Sequence, residues 1–232
     1  MSAMTPRQKW ILAGLGLATL IGVIVYAKRK GTSLGRVRFV PERWTEAPVV
    51  DSYSDGNATT TLRSSPDMPI EQRLASIQGL VYKSVQDPMM RKLALEVTSH
   101  CPERDGECEA KAVYDFVKQN VRYTGDVAPI KQPDGSIEGI DLYQSARRTL
   151  EFGGGDCDDQ SIVAATLLSL NGITPRLRVM KERKNDDWSH IFVVAGLPKN
   201  EPTHWIAADT TLPGTNKFGV EVPYAEALDF PA

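Results

Sequence analysis

The 232-residue sequence has no excess of positive charge, no internal repeat and no long low-complexity tract, and it holds only three histidines and three cysteines. A net charge of −2 leaves nothing to drive phosphate binding, which argues against a nucleic-acid partner. His100, beside Cys101, has no metal-like partner at useful spacing, so no metal site is expected. A hydrophobic content of 41% and a charged content of 24% are those of a globular chain, long enough for one domain of ordinary size plus extras.

Charge is missing altogether from one stretch. Between Trp10 and Ala27, "WILAGLGLATLIGVIVYA" has no charged residue. As a helix it would reach about 27 Å, close to the ~30 Å core of a bilayer. Trp10 and Tyr26 stand at its ends, where amphipathic rings prefer the interface. The expectation is a tail over 1–9 and an uncleaved single-pass helix over 10–27. The competing reading is a cleaved signal peptide with Val25 and Ala27 before the cut, but the apolar run exceeds the usual ~7–15 residues and a lysine follows it. Gly14, Ala18 and Gly22 form a small-residue stripe that would suit a homo-oligomer in lipid. Lys28, Arg29, Lys30, Arg36 and Arg38 outnumber Arg7 and Lys9 and favour a cytoplasmic domain. Cys101 and Cys108 bracket a polar loop. A local disulfide there would point to an oxidising compartment, and two reduced thiols fit the spacing equally well.

Residues 28–69 are rich in Gly, Pro, Ser, Thr and Asp without a sustained period, and read as a linker onto which short extended pieces such as "RVRFV" could dock. From Ile70 the pattern turns helical: 70–85, then a helix capped by Asp87 with Pro88 at its first position, then a third with Ala112, Val113, Phe116, Val117 and Val121 on one face. The folded domain is expected over 70–232.

Chemistry concentrates in "GGGDCDDQ", residues 153–160. Asp156 suits a helix N-cap, Asp159 the acid of a capping box, and Gly172 the stop. Cys157 then falls in the first turn, where free N–H groups and the helix dipole favour a thiolate against its acidic neighbours. The glycines are expected to keep side chains away from the thiol. Ser161 and Ala164, beneath Cys157, are small enough for a sheet to approach closely. Downstream, "WSHIFVVAG" and "THWIAADTT" read as a hairpin. A symmetric register sets His190 opposite Asp209, Phe192 opposite Ala207 and Val194 opposite Trp205, all on the face expected to meet the cysteine helix. His204 faces the other way and reads as structural. Cys157 as nucleophile, His190 as base and Asp209 as its orienter make an activated thiol.

These three motifs, in the order Cys, His, Asp, resemble the transglutaminase-like superfamily of papain-type folds, most of all its small bacterial and phage members with a Gly-Gly-Gly-Asp-Cys-Asp-Asp run. The resemblance covers roughly residues 70–215. It implies an α+β fold, with the cysteine-bearing helix packed on an antiparallel sheet, and a Cys157–His190–Asp209 triad. The domain lacks the extra β domains of large calcium-dependent cross-linkers, so neither calcium nor another cofactor is expected. For the oxyanion, the Cys157 backbone N–H is the leading donor, with Gln144 and Tyr143 as upstream candidates. The expected function is a membrane-tethered thiol enzyme acting on amide bonds of a protein or peptide, with hydrolysis favoured over cross-linking. The rival is a non-catalytic structural or interaction module, such as a component of a phage particle, and the membrane would then be that of a cell or a virion.

Overall fold

The computed structural model describes residues 68–125, 141–215 and 217–232, together with the backbone of five short strands between residues 36 and 138. The first half of the chain supplies β1 (Arg36–Phe39), β2 (Asp51–Ser54), β3 (Thr60–Ser64), α1 (Ile70–Val85), α2 (Pro88–Thr98), α3 (Gly106–Asn120) and β4 (Arg122–Tyr123). There follow β5 (Ile130–Lys131), β6 (Ile137–Glu138), β7 (Asp141–Gln144), α4 (Ala146–Phe152), β8 (Gly154–Gly155) and α5 (Cys157–Leu170). Four strands close the chain: β9 (Thr174–Lys181), β10 (His190–Leu197), β11 (His204–Ala208) and β12 (Glu226–Pro231).

The helices form for local reasons. Asp87 accepts the N–H of Met89 and Pro88 opens α2, while Asp105 accepts the N–H of Cys108 at the start of α3. Val113, Val117 and Val121 of the expected α3 face are buried, with Phe116 packed partly against them. The centre of the molecule is α5, which is buried on every side from Asp158 to Leu168, as a helix apolar all round must be. Helices α1 to α4 pack against it, and β9 and β10 cover the remaining side.

The main sheet runs β1-β12-β9-β10-β11, antiparallel except for the parallel pair of β1 and β12. A second sheet joins β2, β3 and β7. Backbone from the stretch read as a linker therefore takes part in both sheets, and the folded unit draws on residues before Ile70. The candidate span, residues 10–27, lies outside the described residues. Among those described, no helix is long and apolar enough to cross a membrane.

The β10–β11 hairpin departs from the expected register by two residues. Gly196, not Val194, faces Trp205, and Val194 faces Ala207. A Cβ at position 196 would lie 2.9 Å from the Trp205 ring and 2.7 Å from Pro202, so the indole crosses the partner strand where a side chain is missing. Because the slip is even, each side chain keeps its face. The assignment of faces, however, is reversed. Ile191, Val193, Ala195 and Leu197 join the core containing α5. Phe192, Val194 and Ala207 pack on the other side with Met180, Tyr224 and Ala227. Trp205 is half-buried at the edge of that second cluster, and Arg176 lies 3.6 Å over its ring. Ile206 is half-buried against the main core.

Candidate active site

The glycine run has structural duties that differ from the expected ones. Gly153 ends α4 with φ +70°, a conformation that favours glycine. Gly154 and Gly155 form β8, which pairs in parallel with Arg122 and Tyr123 of β4. A Cβ on Gly155 would lie 2.4 Å from that of Asp159, so its absence makes room for the Asp159 carboxylate. None of the three glycines lines the cavity at the thiol.

The aspartates divide the remaining work. Asp156 caps α5, accepting the N–H groups of Asp158 and Asp159. Asp159 reaches across to β7. Its carboxylate accepts the Gln144 backbone N–H at 2.7 Å and the Gln144 side-chain amide at 2.6 Å, tying α5 to β7. Gln144 is thereby spent, and Tyr143 is fully buried, donating its hydroxyl to Asp141 at 2.7 Å and accepting from Arg73 Nε at 3.0 Å. Neither side chain reaches the cavity, so the expectation of an oxyanion donor from Tyr143 or Gln144 is corrected. The Cys157 backbone N–H makes no hydrogen bond among the described residues, as its place at the first turn of α5 allows.

On the other side stands the imidazole. His190 opens β10, and its Nε2 lies 2.8 Å from Asp209 Oδ2 although the two are not directly paired. Asp209 is buried just beyond β11. Its Oδ1 accepts the Thr211 backbone N–H at 3.0 Å and the Thr211 hydroxyl at 2.6 Å. Burial alone would raise the Asp209 pKa, but the hydrogen bond and charge of His190 together with the Thr211 donors bring it below the ordinary carboxylate value. The Phe192 ring stacks on His190 with centroids 5.7 Å apart. Ser161 donates to the Ile191 carbonyl at 3.4 Å, fixing α5 to β10 one residue from the imidazole.

Cys157 and His190 meet at a cavity of about 260 Å³, also lined by Trp188, Tyr123, Arg73, Asp141, Asp156 and Asp158. No hydrogen bond joins the thiol to His190. Sγ lies 4.0 Å from Asp158 Oδ1. Burial, then the charges of Asp158 and Asp156, push the thiol pKa well up, while the Ile191 backbone N–H pulls the other way. The sequence expectation of an acidified thiol is therefore corrected: desolvation and two nearby carboxylates outweigh the helix start. Burial and the neighbouring Asp156 and Asp141 likewise raise the Asp158 pKa well above normal. Ligand oxygens of Asp141, Asp156 and Asp158 lie within 4.8 Å of one another, a spacing a cation could bridge. Arg73 already forms an ion pair with Asp141 and supplies positive charge there.

Arg73, Asp141 and Asp158 escaped the sequence reading as members of the site. Arg73 and Asp141 stand 68 residues apart and carry no local signature. Thr211 did leave a trace, as the second threonine of "DTT", a spacing at which an aspartate commonly accepts the N–H two residues on. Cys101 and Cys108 form a disulfide, and Cys157 is the free cysteine. His100 is exposed, 3.9 Å from the Cys101 sulfur, and the bridge occupies both sulfurs of that cluster. His204 is exposed at the start of β11, away from the site.

Three solved structures resemble the chain at low identity. A protein described as a candidate cysteine protease from Cytophaga hutchinsonii shares 17% identity, with 66% of this chain and 49% of that one covered and a TM-score of 0.40. One described as a candidate protease from Parabacteroides distasonis shares 11%, covering 69% and 34%, with a TM-score of 0.40. A protein described as a transglutaminase shares 17%, covering 68% and 37%, with a TM-score of 0.35. The matched region spans half or less of each of those chains. No curated protein matches the sequence. The family model of the transglutaminase-like superfamily matches residues 91–210, a little over half of the chain, and takes in Cys157, His190 and Asp209. The chain belongs to the transglutaminase-like superfamily.

Proposed function

We propose that the chain is a thiol enzyme that opens peptide or isopeptide bonds through an acyl-Cys157 intermediate, held to a bilayer by residues 10–27. The observation that carries the reading is the 2.8 Å bond from His190 to Asp209 on a cavity that also holds Cys157 at a helix start. An ionised Asp209 only accepts, so Nε2 carries the shared proton and Nδ1 keeps the lone pair that takes the thiol proton. With the thiol pKa raised, that proton moves as sulfur attacks rather than beforehand. The C–S bond forms, and the Cys157 N–H faces the oxyanion. The imidazolium then protonates the leaving nitrogen as the C–N bond breaks. A water activated by Nδ1 attacks the thioester, and the thiol is regenerated as the acid leaves. Water needs no binding site of its own, which makes hydrolysis the simpler end to the cycle than transfer to an amine.

The rival reading, a non-catalytic module, draws on the raised thiol pKa and on the missing Cys157–His190 hydrogen bond. The two separate on treatment of the full-length protein with p-nitrophenyl acetate. The enzyme reading expects a burst of nitrophenol and a single acetyl group on Cys157 by mass spectrometry, absent in Cys157→Ser and His190→Ala. Unchanged acylation in His190→Ala would sink it. For the tether, the full-length chain is expected to stay with membranes through an alkaline carbonate wash, and its release would remove that part of the proposal.

A further inference from the structure

The last backbone-paired residues toward the site are Val193 and Ala208. Continued outward, that register brings Thr211 across from His190, the place that a symmetric hairpin gives to Asp209. Asp209 instead reaches His190 diagonally. The Thr211 hydroxyl lies between them, 2.6 Å from Asp209 Oδ1 and 3.4 Å from His190 Nε2. We infer that Thr211 is a positioning residue: its hydroxyl holds the Asp209 carboxylate in one orientation and so fixes His190 as the Nε2-protonated tautomer.

The hydroxyl has one proton, and the short bond to Asp209 Oδ1 uses it. Its oxygen then faces Nε2 with lone pairs, so both neighbours of that nitrogen, Asp209 Oδ2 and Thr211 Oγ1, are acceptors. A proton on Nε2 satisfies both. A proton on Nδ1 instead would leave an unprotonated Nε2 against a carboxylate. Without the hydroxyl, Asp209 Oδ1 keeps the Thr211 N–H, a local turn that suffices to shape the backbone but leaves the carboxylate less tightly held. The turn is itself held from α3. Lys118 donates to the carbonyl of Thr210 at 3.2 Å and to that of Leu212, the residues on either side of Thr211. Thr211 thus sits on a pinned segment with its side chain, rather than its backbone, as the free choice.

The inference rests on His190 being the base, yet its primary readout does not require catalysis. In the full-length chain labelled with ring-15N histidine, the His190 resonance is assigned by comparison with His190→Gln. The parent is expected to show one neutral tautomer, protonated at Nε2. Thr211→Val, which keeps shape and backbone N–H, is expected to show a mixture of tautomers, and Thr211→Ser to restore the single form. A single Nε2-protonated form in Thr211→Val would overturn the inference, as would a mixture in the Thr211→Ser protein. Acetylation of Cys157 by p-nitrophenyl acetate gives the second readout. It is expected to slow about tenfold in Thr211→Val, the scale of one charge-assisted hydrogen bond, and to return to within about twofold of the parent in Thr211→Ser. If the parent is not acetylated but the tautomer shift appears, the positioning inference stands and the enzymatic reading falls.

Discussion

At the Cys157 end of the cavity three aspartates crowd a thiol and one arginine, whereas at the His190 end a single aspartate accepts bonds on both oxygens. The same residue type is driven in opposite directions. Asp158, without comparable donors, has its pKa raised by burial and by the like charges of Asp156, Asp141 and Asp159. Asp209 is buried as well, but two donors from Thr211 and the His190 imidazole bring its pKa down. Burial by itself therefore does not decide what an aspartate does in this site. The count of donors aimed at it decides, because a hydrogen-bonded carboxylate recovers the solvation that it lost.

Removing the well-satisfied carboxylate should have the largest effect. Asp209→Asn is expected to slow acylation of Cys157 by about 10²–10⁴-fold, through loss of tautomer control, with stopped-flow acylation as the measure. A change below threefold would mean that the orientation of His190 does not limit the chemistry. The ring on which His190 leans comes next. Phe192→Ala should cost about 3–5 kcal/mol in urea unfolding, as a fully buried aromatic truncation. Ile206→Ala, only half-buried, should cost clearly less.

The two aspartates also predict opposite pH signatures. Asp209 has a lowered folded pKa, so its contribution is present above the unfolded value of about 3.9 and is lost as pH falls through the folded value. Asp209→Asn should thus be less stable than the parent at pH 7 and approach it at low pH. Asp158 has a raised folded pKa, so the folded state is favoured fully below about pH 3.9 and loses ground as pH rises toward the folded value. Asp158→Asn should melt about 2–4 °C higher than the parent at pH 7 and show no gain at pH 3.5, by calorimetry. The smallest effect expected is on the thiol. Removing the charge nearest to Sγ should speed iodoacetamide alkylation of Cys157 at pH 8 by about threefold, since more thiolate is then present. A slower reaction would show that Asp158 assists the thiol rather than burdening it.

The amino-acid sequence by itself settled what depends on neighbours along the chain. Period and caps placed α1, α2 and α3, Asp156 marked the start of the Cys157 helix, and alternation put His190 and Asp209 on a common face in the symmetric register and in any register an even number of residues from it. An even slip cannot undo that parity, which is why the His190–Asp209 bond exists even though the pairing differs. Only the tertiary structure decided which face of β10 meets α5. Both faces are apolar because residues including Val222 and Tyr224 cover the outer one, and no alternation can tell two buried faces apart. It also decided the charge around the thiol, since Arg73 and Asp141 reach Cys157 from elements far away in sequence. Local propensity fixes where a side chain sits on its own element. The pKa of that side chain is set by whatever the fold brings beside it.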